Sequence, residues 1–159
     1  MDQLTKMAGP VAALLKERGE TVAVSESAAG GIVSAALLSI AGASSYFVGG
    51  GVIYTRDARR GLLGFGEEQA TMQGASEEYA LLCARTIREK LGTTWGIGES
   101  GAAGPTGSRY GYDAGHVALG VAGPTEKALI IETGSPDREA NMWAFAQGAL
   151  DLLAEALKA

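Results

Sequence analysis

Apolar positions in the first part of the chain follow a helical spacing and then a strand spacing. Between residues 2 and 18 they recur three and four positions apart, which predicts an amphipathic helix ended by Gly19. Pro10 lies inside this pattern and lacks an N–H, so a kink or a break is expected there. The β-branched run 21–25 predicts a buried strand, and residues 30–42 have the length and Ala/Leu content of a packed helix.

The rest of the chain alternates strand and helix patterns. Residues 46–55 predict a second strand, in which three consecutive glycines indicate a bulge or a close approach to the backbone. A short helix is expected to end at Gly64, and Ser76 is expected to cap a longer one. Three further strands are predicted at 95–100, 116–122 and 127–133, and the last two are expected to form an antiparallel hairpin. A final helix is expected to begin at Ser135-Pro136.

This order of elements predicts a three-layer α/β/α fold. We expect a mixed, mostly parallel sheet with a C-terminal antiparallel hairpin. The 159 residues and the hydrophobic content of 47% fit one domain, 1–159, that buries its own core. The single cysteine, Cys83, lies in a helical pattern and is expected to be a buried structural thiol.

Composition excludes several classes of function. A formal charge of -5 argues against binding to nucleic acid, because that affinity comes from clustered Lys and Arg. No apolar run is long enough to span a bilayer, and the N-terminus lacks the order of a signal peptide. We therefore expect a cytoplasmic protein that contacts neither nucleic acid nor membrane.

Two loops rich in small residues follow predicted strands, where α/β proteins bind ligands. They are SESAAGG, 25–31, and the longer 99–115. If Ala28 to Gly31 form the first turn of a helix, their free N–H groups can hold a phosphate or an oxyanion. Ser27 is then either a nucleophile or only the cap of that helix, and the residues alone leave both interpretations open. In the second loop, the candidates for contact with a polar ligand are Arg109, Tyr110, Tyr112 and Asp113.

A nucleophilic Ser27 needs a base, and the candidates are few. The only histidine, His116, starts a predicted strand and is expected to be structural. The lysines lie on helices or in the hairpin, and no set of side chains has the spacing of a metal site, so no metal and no cofactor are predicted. The polar cluster from Tyr54 to Arg60 follows the second strand, and parallel pairing would place it beside SESAAGG.

Five ordered motifs resemble the C-terminal domain of the competence/damage-inducible protein A (CinA) family. They are SESAAGG, AGASSYFVGGGVIYTRDARRGLLG, QGASEEYA, SGAAGPTGS and AGHVALG. The resemblance covers nearly the whole chain. Larger members of the family add an N-terminal molybdopterin-binding-like domain, which is not expected in residues 1–159. It implies a nicotinamide-nucleotide amidase, which converts nicotinamide mononucleotide to nicotinate mononucleotide and ammonia without a metal.

The resemblance also implies the site. The family's serine falls on Ser27, its tyrosine on Tyr54 and its lysine on Arg59. Substrate contacts are assigned within the same motifs to Glu26, Ala28, Ala29, Gly30, Gly31, Gly50, Arg56, Ser100, Gly101 and Gly104. The change to arginine matters, because a guanidinium stays charged at physiological pH and offers no lone pair to a serine proton.

Three functions therefore remain open. In the first, Ser27 attacks an amide, Tyr54 relays the proton and Arg59 supports charge. In the second, the chain is a catalytically impaired paralogue that binds a phosphorylated nucleotide or another anion in the inherited pocket. In the third, it is an interaction module, since small domains of this kind commonly form symmetric homo-oligomers.

Overall fold

The computed structural model describes residues 2–159, and a five-stranded mixed sheet forms its centre. The strands are β1 (Val22–Glu26), β2 (Phe47–Val52), β3 (Trp95–Ala102), β4 (His116–Ala122) and β5 (Lys127–Glu132). The helices are α1 (Gln3–Arg18), α2 (Ile32–Leu38), α3 (Arg56–Leu63), α4 (Glu67–Ala70), α5 (Glu77–Leu91) and α6 (Arg138–Lys158). No helix within 2–159 is long and apolar enough to cross a membrane.

Strand order in the sheet is β2-β1-β3-β4-β5. β1 pairs in parallel with β2 and β3, whereas β4 is antiparallel to both β3 and β5. The three-layer α/β fold and the C-terminal hairpin predicted from sequence are confirmed. Because β1, β2 and β3 are parallel, their carboxyl ends meet at one edge of the sheet, and this edge carries the site.

Each face of the sheet is covered by helices and has its own core. α1, α2 and α6 cover one face, where Trp95, Ile97 and Leu119 are fully or almost fully buried. α5 covers the other, where Tyr79 and Cys83 are buried. Burial raises the pKa of the Cys83 thiol to about 11, which agrees with a structural thiol.

Several local predictions are confirmed. Ser76 caps α5 by accepting a hydrogen bond from the Tyr79 N–H at 3.1 Å. Gly64 ends α3 in the left-handed conformation. The ladder between β1 and β2 shifts register between Phe47 and Gly49, next to the predicted glycine bulge.

Three predicted boundaries are wrong. α1 is continuous through Pro10, so the predicted alternative of a break into two helices is wrong. The helix predicted over 30–42 is only α2, residues 32–38, and residues 27–31 are turns instead of a helical first turn. α6 begins at Arg138 and not at Ser135-Pro136, because the Asp137 side chain accepts from the Ala140 N–H and so caps the helix there.

Candidate functional site

A cavity of about 320 Å³ opens where the parallel strands β1, β2 and β3 end. Its walls combine the turn after β1, the segment after β2, the end of β3 and the loop 103–115. The lining residues are Ser27, Ala28, Tyr54, Arg59, Gly74, Ala75, Ser100, Gly101, Ala102, Ala103, Gly104, Thr106, Gly107, Ser108, Arg109, Tyr110 and Arg138. The three residues predicted as catalytic, Ser27, Tyr54 and Arg59, therefore lie around one cavity.

Ser27 follows the last residue of β1 and is not the cap of a helix. Its N–H donates to Glu99 Oε1 at 2.7 Å, and the Ala29 N–H donates to the same oxygen at 3.0 Å. Three of the four amides expected to bind an anion, 28–31, are thus engaged within the protein: that of Ala29 by Glu99, that of Gly30 by the Ser27 carbonyl oxygen and that of Gly31 by Glu26. What Ser27 offers to the cavity is its side chain.

Glu26, predicted to contact substrate, is fully buried and lies outside the cavity lining. Its Oε1 accepts from the N–H groups of Gly31 and Val33 at 2.9 and 3.0 Å. Its Oε2 accepts from both the N–H and the hydroxyl of Ser34, at 2.9 and 2.8 Å. Glu26 therefore supplies the acceptors that α2 lacks at its start, since Gly31 at its N-terminus has no side chain to cap it.

Arg59 is a fixed donor at the wall of the cavity. Its Nη1 donates to the carbonyl oxygens of Ala70 and Met72 at 3.0 and 2.9 Å, and its guanidinium lies 4.1 Å from the centre of the Tyr79 ring. A Cβ at Gly74 would lie 2.8 Å from Arg59 Nη2, so the glycine is what leaves room for that nitrogen. This arrangement orients a cation and provides no proton acceptor.

Tyr54 is paired with an arginine that the sequence analysis did not select. Tyr54 Oη accepts a hydrogen bond from Arg138 Nη2 at 3.0 Å, and Arg138 Nη1 donates to the Gly104 carbonyl oxygen at 2.6 Å. Arg138 is the first residue of α6, 84 positions from Tyr54. Nothing in its local sequence pattern marks it, because only the tertiary fold brings it to this edge.

The other predicted contact residues divide into two groups. Ala28, Ser100, Gly101 and Gly104 line the cavity, whereas Ala29, Gly30, Gly31, Gly50 and Arg56 do not. A Cβ at Gly50 would collide with the Val24 carbonyl oxygen, so this glycine allows β2 to approach β1. Arg56 Nη2 lies 3.4 Å from Tyr110 Oη and so reaches the cavity only through that residue.

The charge of the cavity is opposite to that of the whole molecule. Three arginines line it, Arg59, Arg109 and Arg138, and within residues 2–159 no Asp or Glu does. The protein as a whole has a formal charge of -5. The cavity is therefore suited to an anionic ligand, and phosphate is the group that arginine binds with two parallel hydrogen bonds.

No histidine or lysine side chain of the described chain lines this cavity. His116 has both ring nitrogens engaged, Nδ1 with Glu132 at 3.1 Å and Nε2 with the Ala75 carbonyl at 2.9 Å, and its ring stacks on Tyr112. The expected structural role of His116 is thus what its contacts show. Over residues 2–159 no group of three or more His, Cys, Asp or Glu side chains is arranged to hold a metal ion.

Comparison with known proteins identifies the family of this chain. The model of the CinA C-terminal domain matches residues 4–157. The chain belongs to the CinA family. A CinA-like protein of Synechocystis is 42% identical over 138 residues, which is 86% of this chain and 33% of that protein. A CinA-like protein of Gloeobacter violaceus is 38% identical over 150 residues, 92% of this chain and 35% of that protein.

Solved structures of the CinA superfamily have the same fold. A CinA superfamily protein of Klebsiella pneumoniae has a TM-score of 0.90 at 26% identity, covering 99% of both chains. A competence/damage inducible protein of Agrobacterium tumefaciens has a TM-score of 0.89 at 29% identity, covering 100% of this chain and 98% of the other. The chain spans about a third of the length of the curated CinA-like relatives that it matches.

Proposed function

We propose that this CinA domain is an amidase that removes ammonia from the carboxamide of a phosphorylated nicotinamide nucleotide, with nicotinamide mononucleotide as its substrate. The observation that carries the proposal is one cavity that brings Ser27 and Tyr54 together with three arginines, with no carboxylate from residues 2–159 in its lining. A substrate with one phosphate and one amide needs both kinds of group: cations for the phosphate and a nucleophile for the amide.

In the proposed reaction the Ser27 oxygen attacks the carboxamide carbon, and Tyr54 relays the proton: its Oη accepts the Ser27 proton and passes its own phenolic proton to the amide nitrogen. The guanidinium of Arg138 donates to Tyr54 Oη at 3.0 Å and so holds that oxygen in place for the relay. The proton then leaves with the amine as ammonia, and water hydrolyses the acyl-serine to release the nucleotide carboxylate. Arg59 donates to the substrate and takes no proton.

A second candidate is favoured because no lysine or histidine among residues 2–159 lines the cavity. In this alternative the chain binds the phosphorylated nucleotide and does not turn it over. The same arginines would hold the phosphate, and Ser27 would remain unactivated.

Ammonia release from nicotinamide mononucleotide tests the two candidates. We would compare the unaltered protein with Ser27→Ala and Arg59→Lys, each checked for folding by circular dichroism. Activity that disappears in Ser27→Ala supports the amidase. An inactive protein that becomes active as Arg59→Lys indicates the binding function, because lysine restores a group with a lone pair.

Binding without turnover has its own measurement. Under either candidate, nicotinamide mononucleotide raises the melting temperature, because a ligand of the folded state stabilises it. Arg59→Ala should weaken this shift. A protein with neither ammonia release nor a thermal shift contradicts both candidates.

A further inference from the structure

Two carboxylates lie side by side in the apolar layer beneath the turn 27–31. Along β1 the side chains of Val22 and Val24 belong to the core under α1, α2 and α6, and Glu26 continues that alternation. β3 repeats it with Trp95, Ile97 and then Glu99. Ser25 pairs with Gly98 in the parallel ladder, so the two glutamates occupy the next position on adjacent strands.

Each glutamate binds a different part of the turn. Glu26 uses both oxygens on residues from Gly31 to Ser34, at the start of α2. Glu99 uses Oε1 alone, on the N–H groups of Ser27 and Ala29. Its Oε2 is buried and has no hydrogen-bond partner within residues 2–159. Because burial of an unpaired carboxylate oxygen is costly, this position is not explained by core packing.

We propose that Glu99 is the positioning residue of Ser27: by accepting from Ser27 and Ala29 through one oxygen, it fixes the backbone that directs the serine side chain into the cavity. The inference rests on the proposed role of Ser27 as nucleophile. Glu99 does not line the cavity, so it acts through Ser27 and not on the substrate.

The hydrogen bonds that Glu99 Oε1 accepts predict which substitutions of Glu99 preserve this role. Burial, followed by the charge of Glu26, raises the pKa of Glu99 to about 7, so both protonation states are populated near neutrality. A neutral carboxyl group keeps a carbonyl oxygen that accepts both N–H groups, and the Gln amide oxygen does the same. Leucine and alanine offer no acceptor and leave both N–H groups unsatisfied.

Kinetics of nicotinamide mononucleotide deamidation separate positioning from binding. In Glu99→Leu we expect kcat to fall by about tenfold or more, because a displaced nucleophile loses reactive geometry. KM should change by less than about threefold, since the arginines that hold the phosphate are intact, and Glu99→Gln should keep kcat within about threefold of the unaltered protein. Glu99→Ala serves as a second variant without an acceptor. Glu126→Gln, in the turn between β4 and β5 and outside the cavity lining, is the control and should leave kcat and KM unchanged.

An unchanged kcat in both acceptor-free variants overturns the proposal. So does a loss in Glu99→Gln equal to that in Glu99→Leu, because the charge and not the acceptor would then matter.

Hydrogen exchange of the free protein tests the same contact without substrate. The amides of Ser27 and Ala29 should exchange at least about tenfold faster in Glu99→Leu than in Glu99→Gln, while those of α6 stay protected in both. Equal exchange in the two variants overturns the positioning role. If the unaltered protein releases no ammonia, the proposed function fails, and this exchange measurement still decides whether Glu99 holds the turn.

Discussion

At the scale of single residues, the position of Arg59 depends on a neighbour that has no side chain. Gly74 leaves room for Arg59 Nη2, which would lie 2.8 Å from a Cβ at that position, and Ser100 Oγ would lie 3.3 Å from it. Gly74→Ala should therefore displace the guanidinium into the cavity. We expect KM for nicotinamide mononucleotide to rise by about tenfold or more, as for loss of a charged hydrogen bond, measured by steady-state kinetics.

Gly61→Ala is the matched control for Gly74→Ala. Gly61 lies in α3 near Arg59, and a Cβ there would meet nothing within 4 Å. This substitution should leave KM unchanged and raise the free energy of unfolding by roughly 0.5–1 kcal/mol, since alanine favours helix more than glycine does. Equal KM values in the two variants would show that Arg59 does not depend on Gly74.

Arg138 joins two walls of the cavity, and its removal should affect the chemical step. Arg138→Met keeps the length of the side chain but loses the hydrogen bonds to Tyr54 Oη and the Gly104 carbonyl. We expect kcat/KM to fall by about tenfold or more, the equivalent of roughly 1.5 kcal/mol. Arg85→Met, which breaks an ion pair with Glu126 away from the cavity, is the control and should keep its kcat/KM.

The sequence predicted the residues that lie in motifs and missed those that depend on distant pairing. Ser27, Tyr54 and Arg59 were placed together because parallel strands bring their loops to one edge. Arg138 and Glu99 carry no local signal of their roles: the first acts across 84 positions on Tyr54 and the second across 72 on Ser27. Glu99 places a carboxylate at the next position of β3 after the core residues Trp95 and Ile97, where the alternation favours an apolar side chain, and this feature points to it in retrospect.

At the scale of elements, β3 and α5 approach so closely that only glycine fits between them. A Cβ at Gly98 would collide with the Ala80 carbonyl of α5. Because the obstacle is backbone, Gly98→Ala should force the helix away and lower the free energy of unfolding by about 2–3 kcal/mol, measured by urea denaturation.

Gly148→Ala in α6 provides the contrast on the opposite face of the sheet. Its Cβ would meet the side-chain methyl groups of Ile131 and Leu119 at 2.8 and 3.0 Å. The ends of these side chains can shift, so the free energy of unfolding should fall by less than it does for Gly98→Ala. A larger fall in the free energy of unfolding for Gly148→Ala would show that the contact between β3 and α5 is not the tighter of the two.

Elements whose apolar residues recur with a clear period were predicted well. Helix boundaries set by side-chain hydrogen bonds to the backbone were predicted only in part: the Ser76 cap was predicted and the Asp137 cap was not. The five strands and α5 follow their apolar patterns. The composition of 30–42 favours a longer helix than α2, but in the structure the Gly31 and Val33 amides of that segment donate to Glu26, and α2 begins only at Ile32. A single sequence does not show that the side chain of Glu26, at the end of β1, will accept from these N–H groups.

At the scale of the whole molecule, Glu99 makes stability depend on pH. Its pKa is raised to about 7 from 4.5, chiefly by burial, so between these values the unfolded chain has released a proton that the folded protein retains. Unfolding then releases a proton, and rising pH favours it. The free energy of unfolding should fall between pH 4.5 and 7, by roughly 3 kcal/mol when the shift is complete.

Glu99→Gln isolates this effect, because the amide does not titrate and every other group is unchanged. The stability of the unaltered protein relative to Glu99→Gln should fall steadily from pH 4.5 to 7 and be constant above about pH 8, as measured by urea unfolding at each pH. Glu126 provides the opposite sign: hydrogen bonds from Arg85 lower its pKa, so its contribution is complete above 4.5 and is lost only in more acidic solution. The difference in free energy of unfolding between the unaltered protein and Glu126→Gln should therefore stay constant from pH 4.5 to 7. A flat difference for Glu99→Gln as well would mean that Glu99 is ionised in the folded protein throughout, with water reaching the oxygen that now lies unpaired beneath Ser27.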